Sequence, residues 1–314
     1  MLIVTQGFSF TIVSYNCENL FDCKHDSLKE DYEFLPEGER EWNFGRYWKK
    51  LNNIGRVIHQ CGGKGEEWRL PDIVVMIEVE NDSVMRMLTH ASMLKTAGYR
   101  YVMTNSDDLR GVDVALMYNP YTFMPLQHSS LKIFPKKGER PTRDVLYVKG
   151  LANSGDTLHV FALHAPSRAG GQSVTENYRV RVTQRVLDAV DSIRVGEPNA
   201  NFVILGDFND YSYNKTLKMY GKNNLVEISN NAVGKMFPKE VLGTYKYQRE
   251  WESLDHIVIS SSLKEKVTEC YIFDNKWILQ KDAQGGYKPY RTYLGPYYNG
   301  GVSDHLPLVL NINL

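Results

Sequence analysis

The chain has 314 residues, 42% hydrophobic and 24% charged, the ordinary balance of a globular protein with a real core. Lys plus Arg equals Asp plus Glu at 37 each, and the pI is near 7.1, so no global positive field is available to hold a polyanion unspecifically. That argues against a processive nucleic-acid binder and for an enzyme with a small or compact substrate.

Cys17, Cys23, Cys61 and Cys270 form no CxxC pair and sit beside no paired histidines, which excludes a thiolate zinc site of the usual spacing. They predict free thiols rather than a disulfide framework. No apolar run approaches a membrane span, and residues 1–10 lack the charged start and apolar centre of a secretory leader. The compartment stays open.

In chain order, Phe10 to Tyr15 predicts a strand running into Asn16, Cys17, Glu18 and Asn19. Asp22 to Glu41 is charged and aperiodic, a loop. Phe44, Tyr47, Trp48, Leu51, Ile54 and Ile58 recur at helical spacing, with Gly62 and Gly63 ending the helix. Asp72 to Ile77 is a buried strand terminating at Glu78, and Asp82 caps a helix to about Ala97. Gly111 to Tyr118 is a strand before an Asn119-Pro120 turn. Lys136, Lys137, Arg140 and Arg143 make the one dense basic run, read as a solvated loop that is also able to meet a polyanion. Asp144 to Leu151 and Thr157 to Leu163 pair across a turn, the second ending at His164. Ser173 and Glu176 form a capping box for a helix to about Val195.

Phe202 to Leu205 is an unbroken apolar run entering Gly206, Asp207, Phe208, Asn209 and Asp210. It predicts a strand buried on both faces, with Gly206 letting the chain leave the sheet in a conformation other residues resist. A short helix, a strand from Leu254 to Ser260, another over Cys270 to Phe273 and a final strand from Leu306 to Leu314 complete the pass. Strands and helices mix without strict alternation, no low-complexity linker divides the chain, and a single α/β domain with layered sheets over residues 1–314 is expected.

Polar residues collect where these strands end: Asn16, Glu78, His164, Asp207 with Asn209, Asp255, and Asp304-His305 ahead of the last strand. Taken singly, each has an ordinary reading. Asn16 can bond a turn, Glu78 can be a solvated rim residue, Asp255-His256 a surface pair and His164 a satisfied loop histidine. Together they suggest a shared site, because isolated ionised groups there are costly unless paired or bound to metal. Carboxylate and carboxamide oxygens without thiolates suit a hard cation such as Mg²⁺ or Mn²⁺. Two histidines nearby suit proton transfer or stabilisation of a charged oxygen. The combination describes metal-assisted hydrolysis at a phosphate.

The segments SYNCENLFD, IEVEN around Glu78, LHAPSR around His164, GDFND, LDHIVIS and SDHLPLVL resemble the endonuclease/exonuclease/phosphatase superfamily. That group includes pancreatic deoxyribonuclease, abasic-site endonucleases, neutral sphingomyelinases and inositol polyphosphate 5-phosphatases. The motifs appear in the family's order from Asn16 to His305. The resemblance implies a four-layer αββα sandwich, with two mixed sheets flanked by helices. It implies that Asn16 and Glu78 hold the cation, with Asp304 a further metal-side acid. Asp207 then orients or deprotonates the attacking water, Asn209 binds the phosphate, and His305 stabilises the phosphoryl oxygen or acts as an acid–base group. Asp255 would hold His305, and His164 matches the second histidine of the deoxyribonuclease and sphingomyelinase branches.

Arg110 and Arg168 are candidate phosphate ligands, with plain surface charge as the alternative. The aromatic segment Tyr287, Tyr290, Tyr293, Tyr297 and Tyr298 lines a substrate rim or packs a long loop. The expectation is a Mg²⁺- or Mn²⁺-dependent hydrolase of a phosphodiester, nuclease-like first, with lipid, inositol or sugar phosphates as the alternative. A non-catalytic binding module of the same fold is the rival from another class. A calcineurin-like metallophosphatase is set aside because no Asn-His-Glu run exists.

Overall fold

The run Phe202 to Leu205 shows why the chain layers as it does. Phe202 and Ile204 point to one side, against Val182, Val186, Leu187 and Val190 of a helix, while Val203 and Leu205 point to the other, into the larger core. The period of two means one strand serves two packed interfaces. Each such side chain contributes roughly 1.5–3 kcal/mol on burial.

The structure is a computed structural model that describes residues 9–63, 68–168 and 171–314. Its strands in chain order are β1 (Ser9–Leu20), β2 (Ile73–Val79), β3 (Arg100–Met103), β4 (Asp113–Tyr118), β5 (Phe123–Leu131) and β6 (Val145–Ala152). There follow β7 (Thr157–His164), β8 (Asn201–Asp207), β9 (Leu225–Glu227), β10 (Tyr245–Tyr247), β11 (Glu250–Glu252) and β12 (Asp255–Ser260). The last are β13 (Val267–Ile272), β14 (Leu279–Lys281), β15 (Tyr287–Pro289), β16 (Tyr293–Leu294), β17 (Tyr297–Tyr298) and β18 (Leu308–Asn313). The helices are α1 (Phe44–Cys61), α2 (Asp82–His90), α3 (Gln172–Gly196) and α4 (Lys215–Lys222).

Two mixed six-stranded sheets face each other, ordered β13-β18-β1-β2-β4-β3 and β5-β6-β7-β8-β12-β9. The inward side chains of both sheets merge into one core, which α1 and α2 extend on the far side of the first sheet. α3 and α4 cover the outer face of the second sheet. The four-layer αββα sandwich is thereby established. Three two-stranded ribbons, β10-β11, β14-β15 and β16-β17, stand apart from the two sheets. No helix among the described residues is long and apolar enough to cross a membrane. The reading of residues 1–10 as lacking a leader falls, for residues 1–8, outside the described residues. The four cysteines are unpaired thiols, Cys17 and Cys61 buried and Cys23 and Cys270 half-buried.

Several local expectations are corrected. β1 does not stop at Tyr15 but runs to Leu20 through a bulge after Asn16, with Glu18 and Asn19 at φ 50 and 55. α2 is capped by Asn81, whose side chain accepts the Val84 N–H. It ends at His90 rather than near Ala97, because Ser92 turns its hydroxyl back onto the Leu88 carbonyl and accepts the Leu94 N–H, competing with the helical ladder. The Ser173/Glu176 capping box does not form; α3 begins at Gln172, after Gly171 at φ 112, with no side-chain cap. β5 and β3 were not anticipated. β5 contains Pro125, which a sheet tolerates because β5 is an edge strand and bulges between Pro125 and Gln127.

Gly206 behaves as its position predicts. Its φ is 140, and a Cβ there would lie 1.9 Å from the Leu163 carbonyl oxygen of the neighbouring strand. Gly206→Ala is therefore expected to destabilise the protein by about 2–4 kcal/mol through strain and backbone displacement. Urea unfolding of the variant against the parent measures it; a loss within experimental error would remove this constraint.

Candidate active site

The second sheet brings three of the predicted residues into one row. His164 pairs with Asp207 across the parallel β7-β8 register, and Asp207 pairs with Asp255 across the antiparallel β8-β12 register. The first sheet supplies the rest. Asn16 in β1 donates its Nδ2 to Asp207 Oδ2 at 3.1 Å, and His305, entering β18, places Nδ1 2.7 Å from Asp255 Oδ2. Thr244 Oγ1 donates to the same Asp255 oxygen at 2.5 Å. Ser303 ties the two first-sheet contributions together, donating to the Asn16 carbonyl at 2.7 Å and accepting the His305 N–H at 3.1 Å. Asn16, His164, Asp207, Asp255 and His305 are all buried.

Burial and neighbouring charge set the two histidines in opposite states. Burial would lower the pKa of His305, but the Asp255 carboxylate and its hydrogen bond, with Asp304 and Asp207 beyond, push it up to about 10. His305 is thus an imidazolium at neutral pH. His164 is held well below the usual range, first by burial and then by the cations Arg143, Arg110 and His305. It is neutral, with Nε2 at 3.7 Å from Glu78 Oε1 and 3.8 Å from Asp207 Oδ2. Asp207 is raised, by burial first and by Asp255 next, while His305 and the Asn209 N–H oppose the rise. A raised carboxylate is a better proton acceptor than an ordinary one.

Asp207 uses its two carboxylate oxygens differently. Oδ1 accepts the Asn209 N–H at 2.9 Å, which closes an Asx turn, and Oδ2 faces the site. Asn209 is left-handed at φ 49 and donates Nδ2 to the Ala165 carbonyl at 3.1 Å, so its carboxamide leaves one N–H for a ligand. Asp210 is buried: Oδ1 lies 3.0 Å from Arg179 Nε, and Oδ2 accepts from Thr216. His256 is not part of a surface pair. It is fully buried, with Nε2 on the Asp210 carbonyl and Nδ1 on Glu227, both at 2.8 Å. These contacts fix the loop from below.

Glu78 ends β2 in the left-handed region at φ 62. Its Oε2 accepts the Asn19 N–H at 2.9 Å, while Oε1 faces His164 and, at 3.9 Å, Arg110 Nη2. Glu18, Asn19, Glu78 and Asn209 all have positive φ, a conformation that costs a non-glycine residue on the order of 1 kcal/mol or more. Such strain persists only where surrounding contacts impose it.

Arg110 is nearly half exposed beside Asp108, and Arg168 lies over the Tyr211 ring at 4.2 Å. Arg143 corrects the reading of the basic run as a solvated loop. It is buried, donating to Asp108 Oδ2 at 3.1 Å and to the Ala165 carbonyl at 2.8 Å. Arg140, by contrast, is an exposed partner of Glu30.

Asp304 is paired with Arg291. Its Oδ2 receives Arg291 Nη2 at 2.5 Å. Arg291 also approaches Glu18, a buried carboxylate raised to about 7 by burial first and by Asp304 next. Lys50, buried in α1, donates to the Glu18 carbonyl and to Thr292 Oγ1, both at 2.6 Å. Glu18, Lys50, Thr292 and Arg291 were not singled out from sequence. Lys50 falls on the buried face of the α1 periodicity, which was the one available signal.

The donor chemistry fits a hard divalent cation. Asp255 Oδ1 is buried without a hydrogen-bond partner, and the Glu78 Oε1 contacts are ion-pair distances only. Among the described residues, ligand atoms of Asp207, Asp255 and His305 also lie within 4.8 Å of one another. The hydrogen bond between His305 Nδ1 and Asp255 Oδ2 engages one ligand atom of each within this trio.

No curated protein matches the chain. Among solved structures, a mannosyl-6-phosphatase from Bacteroides thetaiotaomicron VPI-5482 superposes with a TM-score of 0.63 at 17% identity, covering 96% of this chain and 98% of that one. An endonuclease/exonuclease/phosphatase family protein from Bacteroides thetaiotaomicron gives 0.62 at 16% identity, covering 98% of each. The human Nocturnin catalytic domain with bound sulfate gives 0.55 at 16% identity, covering 96% and 93%. At these identities the likeness is one of fold. The family model described as Endonuclease/Exonuclease/phosphatase family matches residues 11–314. The chain belongs to that family of phosphoesterase hydrolases.

Proposed function

We propose that the protein hydrolyses a phosphate ester by direct attack of water, with a divalent cation of the Mg²⁺ or Mn²⁺ type. The observation that carries this reading is the pair of hydrogen bonds crossing between the sheets, Asn16 to Asp207 and His305 to Asp255. They put a proton acceptor and an imidazolium on one buried surface, the two parts that water attack on a phosphate requires.

Asn16 and Glu78 would hold the cation, with Asp304 at its rim. When bound, the cation supplies charge neutralisation at the phosphate. Asp207 accepts the proton of the attacking water. His305 donates from Nε2 to a phosphoryl oxygen, and Asp255 fixes its tautomer and charge. Asn209 offers its remaining amide N–H to the phosphate, His164 lines the site in its neutral form, and Arg110 and Arg168 receive the anion at the rim.

A compact substrate suits the charge pattern. Two members of the basic run, Arg140 and Arg143, are already engaged by carboxylates, so the polyanion track that the run offered is interrupted. A nuclease-like diester reading keeps one specific support: Arg40 stacks on Tyr293 at 4.8 Å and Arg46 on Tyr298 at 4.5 Å, a cation–aromatic pattern that nucleic acid also uses.

Purified protein with Mg²⁺, Mn²⁺ or chelator is to be assayed on aryl mono- and diesters, sugar and inositol phosphates, sphingomyelin, plasmid DNA and RNA. Cation-dependent turnover of at least one ester is expected. Asp207→Asn and His305→Ala should each lower kcat by roughly 10²–10⁴-fold without unfolding the chain. A folded protein that turns over no ester ends the proposal, and full activity in either variant removes that residue from it.

The pH profile offers a second check. His305 is protonated below its raised pKa, so activity that needs the imidazolium falls as pH climbs through about 10. In Asp255→Asn the largest raising influence is gone, and the alkaline limb of kcat/KM should move towards neutral pH. An unmoved limb assigns it to another group.

A further inference from the structure

Two cavities flank the site and share one wall. The first encloses about 180 Å³ and the second about 210 Å³, and both are lined by Arg291 and Asp304, the residue directly before His305. They differ in charge. The first holds Lys246, Lys288 and Arg291 against Asp282 and Asp304, one cation in excess. The second balances Arg40 and Arg291 with Glu18 and Asp304, and Phe34 and Tyr293 complete its wall.

We infer that the first cavity is a second anion subsite, so that the substrate is a compact polyhydroxylated phosphate ester carrying a further anionic group, phosphate or carboxylate. The inference rests on the phosphoesterase reading for the position of the reacting phosphate.

The cavity is joined to the catalytic centre through one residue. Tyr245 packs on the His305 ring, centroids 4.9 Å apart, and bridges its backbone; its neighbour Lys246 lines the cavity. Asp304, directly before His305, is itself part of the cavity lining. The cations are fixed in place. Lys246 is half-buried, with Nζ 2.9 Å from the Tyr287 carbonyl, 3.4 Å from Asp282 Oδ2 and over the Trp251 ring. Lys288 Nζ lies 3.6 Å from the other Asp282 oxygen. Asp282 thus holds two ammonium groups side by side, which lowers the entropy an anion must remove on binding. Gln248 and Gln284 add carboxamides to the lining, groups suited to hydroxyls. The cavity, of about 180 Å³, has room for an anionic group with a few hydroxyl-bearing carbons.

The test is calorimetry with the full chain, Mg²⁺-loaded and carrying Asp207→Asn. The probes are glucose 6-phosphate, glucose 1,6-bisphosphate and 6-phosphogluconate. At least one of the two doubly anionic probes should bind about tenfold more tightly than glucose 6-phosphate. The phosphate and carboxylate arms then report which anion the cavity takes. Adding the substitution Lys288→Gln, at a half-exposed position, should erase most of that ratio; a structural role for Lys288 would weaken all three probes alike. Equal binding of all three probes overturns the subsite. Because binding is read without turnover, that outcome is distinct from the failure of ester hydrolysis by the unsubstituted protein.

Discussion

The site depends on polar contacts made across the gap between two sheets whose facing surfaces are otherwise apolar. Asn16 reaches Asp207, and His305 reaches Asp255, at an edge of the sandwich where the core gives way to carboxylates. Burying Asp207 and Asp255 in adjacent register is unfavourable by itself, since like charges and desolvation both oppose ionisation. The imidazolium between them offsets that cost, and so do Thr244 Oγ1 and the Asn16 amide. Removing one partner would leave an uncompensated buried charge. The two sheets are therefore held in one relative position by the same bonds that define the chemistry.

Around this seam lie supports that touch no substrate. Arg179 of α3 pairs with Asp210, and His256 bonds the Asp210 carbonyl, so the loop after β8 is pinned from the helical layer. On the opposite side Lys50 of α1 bonds the backbone of the β1 bulge and Thr292. Both outer layers thus send one buried cation through or around a sheet to the site's backbone. Left-handed Glu18, Asn19, Glu78 and Asn209 are the conformations these supports enforce. The helices are consequently part of the site's geometry as well as of the core.

Much of this was legible in the sequence because the signals are local. Four apolar residues ending in Gly206 and Asp207 announce a strand buried on both faces, and polar residues at strand ends announce a shared site. What was not legible is pairing at long range. Asn16 and Asp207 are 191 positions apart, and no pattern within either segment says that one amide meets that carboxylate. Arg143 read as part of a charged loop because its partner Asp108 lies 35 positions away. β5 was hidden by Pro125, which only its edge position excuses. The bulge in β1 was hidden because Asn16 to Asn19 look like a strand end whether the strand stops or merely kinks.

The three ribbons have a consequence for how such a chain can diversify. Lys246 lies on β10, Lys288 on β15 and Tyr293 on β16, while Arg291 sits between the last two. None of these strands belongs to either main sheet. The reacting groups, by contrast, are seated on or beside the long central strands. The ribbon residues lining the two cavities and the buried polar row of the main sheets are thus carried by separate pieces of backbone. Ribbon length and side chains can be exchanged while the seam between the sheets stays as it is, so a change of substrate need not disturb the reaction.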